Sequence, residues 1–123
     1  MLTIRNSQMH VLQEALWTRL IAEHVRKCFP KQWKKWGEPS ARKLIGRAIE
    51  KARGYGFREL PDLQQYVDLV VVLGEDFEAT AEYAWTRQIL DDRNPAGDAF
   101  RATWLYDSVT RQMADRENHG RRN

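Results

Sequence analysis

The chain has 123 residues, of which 42% are hydrophobic and 30% charged, and its formal net charge is +3. A chain of this length can bury one core but not two, so we expect one domain over residues 1–116 and a frayed basic tail at 117–123. No stretch approaches the roughly 20 apolar residues that span a bilayer, and no secretory signal is recognisable, so we expect a cytoplasmic protein. The lone Cys28 excludes an internal disulfide framework.

The first predicted element is a long helix over residues 7–29. Ser7 is a suitable N-cap, and apolar residues follow at steps of three and four, the period of one helix face. That face consists of Met9, Leu12, Leu16, Leu20, Ile21, Val25 and Cys28. We expect all of them to face the core, so that Cys28 is a buried thiol. Pro30 ends the helix.

The next stretch, KQWKKW at residues 31–36, sets two tryptophans among three lysines. The residues concerned are Trp33, Trp36, Lys31, Lys34 and Lys35. They could form a surface that docks a protein partner, or the indoles could fold back as a lid with lysine stems over them. Phosphate contacts and base stacking would suit nucleic acid, which the nearby acidic half of the chain disfavours. The stretch is too short for a membrane-surface helix.

The charge is unevenly distributed along the chain. Eleven basic residues stand against two acids over residues 26–58, a balance of +9, whereas residues 59–92 hold nine acids and one arginine, a balance of −8. Segments adjacent in sequence usually pack together, so we expect the two fields to cancel partly within the fold. The alternative is a dipolar surface that orients a charged protein partner.

A second helix begins at Ser40, or at Glu38 just ahead of Pro39. Its predicted core face is Leu44, Ile45, Ala48, Ile49 and Ala52, and Gly54 and Gly56 are placed to end it.

The segment DLQQYVDLVVVL, residues 62–73, is ambiguous in type. Its valines favour a strand, whereas Pro61 at the start, Gly74 at the end and the length of the segment favour a helix. We predict a buried central helix, because no second strand is available to pair with an isolated one.

Two further helices complete the predicted elements. Residues 81–92 form a short helix with Tyr83 or Ala84, Ile89 and Leu90 inward, and a last helix runs from about 98 to 115. The predicted core positions of the last helix are Phe100, Trp104, Leu105, Val109 and Met113. The predicted fold class is therefore all-α, a small single-domain bundle of four to five helices.

The turns between these helices carry a recognisable pattern. It is made of Tyr55, Gly56 and Phe57; Tyr66, Asp68 and Leu69; Leu73, Gly74, Asp76 and Phe77; and Trp85, Ile89, Leu90 and Asp92. With this pattern the chain resembles a family of small accessory proteins encoded in bacterial type VI secretion effector clusters. The resemblance implies a non-catalytic adaptor or co-chaperone that binds an effector chaperone, a secreted effector or both. An immunity protein against a neighbouring toxin is the alternative within the same class.

The residues of this pattern also have structural interpretations. Gly56 and Gly74 are expected to end helices in a left-handed backbone conformation, and Tyr55 and Trp85 to be structural. Asp68 lies on the buried central helix, so its carboxylate needs a partner, which Arg42, Arg47 or Arg53 could supply.

The Asp76–Phe77 pair is interpreted as a cap and a plug over the end of the bundle. The acid would cap the next turn and the ring would plug the core, and the alternative is a knob that binds a partner.

The sequence contains little that indicates catalysis. His10, His24 and His119 are not at metal-ligand spacing, and Ser40 is better explained as an N-cap than as a nucleophile. We expect no enzymatic activity, no metal and no cofactor.

Overall fold

In the computed structural model, which describes residues 6–92 and 98–121, the chain folds into six α-helices. They are α1 (Asn6–Cys28), α2 (Pro30–Trp36), α3 (Glu38–Gly54), α4 (Leu60–Leu73), α5 (Thr86–Leu90) and α6 (Asp98–Arg121), and a short 3-10 turn spans Phe77–Ala79. The described residues contain no strand, and the predicted all-α class is confirmed. The predicted frayed tail from 117 is helical as far as Arg121, and residues 122–123 lie outside the described part.

Helix α4 is the centre of the bundle and packs against α1, α3 and α6. Pro61 lies in its first turn and Gly74 follows its last residue. These two residues are the start and stop signals on which the prediction of a helix rather than a strand was based. Seven of its residues are buried, among them Leu63, Tyr66 and Val67. Burial on several sides explains why the segment carries so many valines without a clear period.

The glycines that end α3 and α4 adopt the conformation expected of them. Gly56 has a φ of 100° and Gly74 a φ of 108°, which side chains with a Cβ rarely adopt. The prediction that these two residues stop helices is confirmed.

The core is built mainly from α3 and α4, and α1 and α6 each add buried residues to it. The buried face of α3 is Ala41, Ile45, Ala48, Ile49 and Ala52, while the predicted Leu44 is only half-buried. Leu105 and Val109 of α6 are buried as predicted, but Trp104 and Met113 are 46% and 38% exposed. Trp104 lies off the stripe that Ala102, Leu105 and Val109 form along α6, so apolarity alone misplaced it. The side chain of Phe100 lies outside the described part.

Arg101 ties α6 to the rest of the bundle. This residue is only 3% exposed, and its guanidinium donates hydrogen bonds to the backbone carbonyls of Leu90 and Tyr55. The same group lies over the ring of Phe57, 4.5 Å from the centroid. A buried cation with such partners fixes the start of α6 against the end of α5 and the α3–α4 turn.

Tyr66 offers a test of this core. Its ring lies 5.7 Å from that of Phe77 and 6.0 Å from that of Tyr55, yet its hydroxyl has no hydrogen-bond partner among the described residues. Because a buried hydroxyl without a partner costs free energy, Tyr66→Phe should raise the free energy of unfolding by about 1 kcal/mol. Urea unfolding at neutral pH measures this change, and a loss of about 1 kcal/mol would show that the hydroxyl is bonded.

The same substitution should alter the response to alkali. Burial raises the pKa of Tyr66, and burial with the hydrogen bond to Glu78 raises the pKa of Tyr55 to about 12. The folded chain therefore holds these protons more tightly than the unfolded chain, in which the tyrosine pKa is about 10. The contribution of these two protonated tyrosines to the free energy of unfolding is complete below pH 10 and is lost as the pH rises above it. Tyr66→Phe should make this loss of stability at alkaline pH smaller.

Candidate docking surface

An apolar stripe lies exposed along α1 from Met9 to Leu20. Met9, Leu12, Leu16 and Leu20 are 57%, 62%, 53% and 44% exposed, although the sequence pattern predicted that all four face the core. Their spacing of three, four and four residues places them on one side of the helix. We call these four residues the α1 stripe.

The position of α1 explains why the stripe is uncovered. Among the described side chains of this helix only Ile21, Ala22 and Val25 are buried, and all three lie in its second half. The first half is attached to the bundle through Trp17, which packs against the core, and through Glu14, whose carboxylate lies 2.5 Å from the Arg53 guanidinium. At about 100° of rotation per residue, the stripe lies on the side of α1 roughly opposite to Ile21 and Val25, so it faces away from the core that the sequence pattern suggested it would join.

The unpaired charges beside the stripe are of one sign. Glu14 is paired with Arg53, and Glu23 with Arg26 at 2.7 Å, so both described acids of α1 are neutralised. Arg19 and Lys27 are exposed and form no ion pair with a described residue. An open cleft beside the stripe is lined by Gln13, Glu14, Trp17, Arg53, Arg58 and Glu59. The unpaired charge along the described part of α1 is therefore positive.

Residues 31–36 form helix α2 rather than an irregular connection. Trp33 and Trp36 are half-buried against the core, and the Arg42 guanidinium lies 5.8 Å from the centre of the Trp33 ring. Trp36 lines a shallow groove with Leu44 and the end of α4. The three lysines, Lys31, Lys34 and Lys35, are exposed. The indoles thus have the contacts expected of a lid, and their contact with a partner stays a prediction.

The acidic turn after α4 is held by the basic face of α3. Lys51 Nζ lies 2.8 Å from an Asp76 oxygen and also contacts Glu78, and Arg47 Nε lies 2.7 Å from a Glu75 oxygen. Burial opposes the charge on Lys51, but its hydrogen bonds to the two acids leave its pKa raised, and Lys51 lowers the pKa of Asp76. The predicted cancellation of the basic and acidic halves is confirmed at this contact.

The Asp76–Phe77 pair is arranged only partly as predicted. The Asp76 side chain makes no capping hydrogen bond, because its carboxylate is directed to Lys51. Phe77 is fully buried and plugs the core, so it offers no surface that a partner could contact in this fold. Asp76, by contrast, has a side chain that is 73% exposed and remains accessible.

Tyr55 and Trp85 have structural surroundings. The Tyr55 hydroxyl donates a hydrogen bond of 3.0 Å to Glu78 Oε1, which links the end of α3 to the 3-10 turn. Trp85 packs half-buried against the core, and its Nε1 has no hydrogen-bond partner among the described residues.

Asp68 finds a different partner from those predicted. Its Oδ1 lies 3.0 Å from His24 Nε2 on α1, and its side chain is 13% exposed. Arg42, Arg47 and Arg53 pair instead with Glu38, Glu75 and Glu14. Burial raises the pKa of the Asp68 carboxyl, and attraction and hydrogen bonding to His24 oppose this effect.

Cys28 extends this pair into a row of three side chains. Its sulfur lies 3.7 Å from His24 Nδ1, one helical turn away on α1, and the residue is exposed rather than buried as predicted. The imidazole stands between the thiol and the carboxylate, which touch opposite ring nitrogens. Over residues 6–92 and 98–121 no three or more His, Cys, Asp or Glu side chains are grouped to hold a metal ion.

No helix within those ranges has the length and apolar character needed to cross a membrane. No family model, curated protein or solved structure matches this chain. The function is therefore argued from the surface itself.

Proposed function

We propose that this protein is a non-catalytic adaptor or co-chaperone that binds a secreted effector or its chaperone and assists loading onto the type VI secretion spike. The observation that supports a binding role is the exposed α1 stripe. Four large apolar side chains on one face of a helix are unusual on a monomer surface, because exposing them to water is unfavourable. A partner that covers them removes this cost.

The shape of the stripe suits a helical partner. Its side chains recur with the period of an α-helix and extend from Met9 to Leu20, eleven residues or about 16 Å of helix at 1.5 Å per residue. A second amphipathic helix packs against such a row through its own residues at steps of three and four.

The charge beside the stripe indicates which side chains the partner helix should carry. The exposed Arg19 and Lys27 have no described acid as a partner, whereas Glu14 and Glu23 are already neutralised. An amphipathic helix with carboxylates along the border of its apolar face would complement them, whereas a basic border would be repelled. We assign this occupant to the effector or its chaperone.

The test compares two variants of the tagged protein in its native host. The double substitution Leu12→Glu and Leu16→Glu should weaken recovery of the effector or its chaperone at least tenfold, because it places charge in the centre of the apolar contact. Quantitative mass spectrometry of the purified complexes measures the recovery. Val11→Glu is the matched control, since Val11 is 63% exposed on the same helix but lies off the stripe.

Each result has a definite meaning for the proposal. Equal recovery with the double variant and the wild type would remove the α1 stripe from the binding surface. Recovery of a toxin alone, with inhibition of that toxin, would favour the immunity protein instead. Thermal melts of both variants confirm that neither loses its fold.

A further inference from the structure

We propose that Cys28 is a reactive thiol that forms mixed disulfides with small disulfide molecules, with His24 as the base that takes the thiol proton and Asp68 as the residue that positions His24. This site lies outside the α1 stripe and does not depend on the proposed function. It rests on the row in which Cys28 Sγ lies 3.7 Å from His24 Nδ1 and His24 Nε2 lies 3.0 Å from Asp68 Oδ1.

Asp68 determines which nitrogen of His24 can accept a proton. Its two oxygens lie 3.0 Å and 3.2 Å from Nε2, so a neutral imidazole places its hydrogen on Nε2 and donates it to the carboxylate. Nδ1 is then left with its lone pair, and this atom faces the Cys28 sulfur. A base that points at a thiol, oriented in turn by a third group, is the arrangement by which proteins activate a cysteine.

The hydrogen bond between Asp68 and His24 is not an incidental surface contact. Asp68 is on the central helix, 44 residues from His24 in the sequence, and its side chain is only 13% exposed. Enclosing a carboxylate there costs free energy, and His24 is the only described hydrogen-bond partner of its oxygens. Cys28 at the other end of the row is exposed, so a dissolved molecule can reach it.

The reaction balances without a further reagent. The thiol proton passes to His24 Nδ1, and the resulting thiolate attacks one sulfur of the small disulfide. A bond forms between Cys28 Sγ and that sulfur while the original disulfide bond breaks. The departing thiolate leaves with the electron pair and takes up the proton from His24 or from solvent.

The experiment measures the rate at which the folded protein reacts with excess dithiodipyridine at neutral pH, followed by absorbance of the released thione. Because Cys28 is the lone cysteine, one equivalent should be released by the wild type and none by Cys28→Ser. His24→Gln and Asp68→Ala should each react about tenfold more slowly, since both leave an exposed thiol without an oriented base. Glutathione disulfide should give the same order of rates, with the adduct measured by mass spectrometry.

Two matched variants separate activation from general disturbance of the fold. His10→Gln removes a histidine of the same helix fourteen residues away, about 21 Å at 1.5 Å per residue, and should react like the wild type. Asp68→Asn keeps an oxygen that can accept the Nε2 hydrogen and should retain most of the rate that Asp68→Ala loses.

The contrary outcomes are equally definite. Equal rates in the wild type and His24→Gln overturn the proposal even if the Asp68 variants fail to fold. Loss of the rate in Asp68→Asn to the level of Asp68→Ala overturns the positioning role. Circular dichroism and a thermal melt of each variant identify those that remain folded.

Discussion

Phe77→Ala should lower the free energy of unfolding by about 3–5 kcal/mol, the usual cost of deleting a core aromatic side chain. The Phe77 ring is fully buried and lies 5.7 Å from the ring of Tyr66. Removal of the ring would therefore leave a cavity inside the core. Urea unfolding followed by circular dichroism measures the loss.

The neighbouring Asp76→Ala is the control for this prediction. Asp76 is exposed and its contact with Lys51 is at the surface, so its removal should change stability far less than removal of the Phe77 ring. If Phe77→Ala leaves stability unchanged and instead weakens binding of a partner, the ring does not contribute to the core of the free protein. That result would restore the interpretation of Phe77 as a partner-binding knob.

Trp33→Ala and Trp36→Ala should each lower the free energy of unfolding by about 2 kcal/mol, less than a fully buried aromatic because both indoles are half-buried. Trp33 also loses its contact with the Arg42 guanidinium, which lies 5.8 Å from the ring centre. Thermal and urea unfolding of the free variants measure the loss. A docking surface predicts the opposite pattern, in which the free protein is unaffected and only a complex is weakened.

The lysines of the same helix provide the matched control. Replacement of Lys31, Lys34 and Lys35 by glutamate should leave the melt nearly unchanged, because exposed charges contribute little to stability. Slower association with an acidic partner in that variant would show that the charged side of α2 takes part in binding even though the indoles serve as a lid.

Helices α1, α3, α4 and α6 were predictable because their ends are chemically marked, whereas α2 was not predicted as a helix and only Thr86–Leu90 of the helix predicted over 81–92 is helical. Pro61 and Gly74 bound α4, and these two residues outweighed the valines that favour a strand. Gly56 and Gly74 were predictable as stops because positive φ is easily adopted only by glycine. Signals of this kind are local, so a single sequence contains them in full.

Whether a helix face is covered depends on distant parts of the chain, and for α1 the prediction from the sequence was wrong. Leu16 and Ile21 belong to the same apolar series, yet Leu16 is 53% exposed and Ile21 fully buried. At about 100° per residue these two positions lie roughly 140° apart around α1, so the apolar series occupies more than one side of the helix and contains no information on which side the neighbouring helices cover. Exposure of the stripe, the main feature of the candidate surface, therefore required the fold.

The partner of Asp68 shows a second limit. Burial of a carboxylate on α4 was predictable from its apolar neighbours, and so was its need for a partner. The choice between three arginines of α3 and one histidine of α1 depends on how the helices are rotated about their axes. Each arginine is occupied by another acid, and only His24 faces Asp68.

The place of α6 in the core has a consequence for biosynthesis. Ala102, Leu105 and Val109 complete the packing around α4, and Arg101 supplies hydrogen bonds to carbonyls at the ends of α3 and α5. During translation α4 is synthesised before these residues. Until α6 is added, part of the apolar surface of α4 is uncovered, and general folding factors can bind the incomplete bundle. The chain reaches its final structure only once α6 is synthesised.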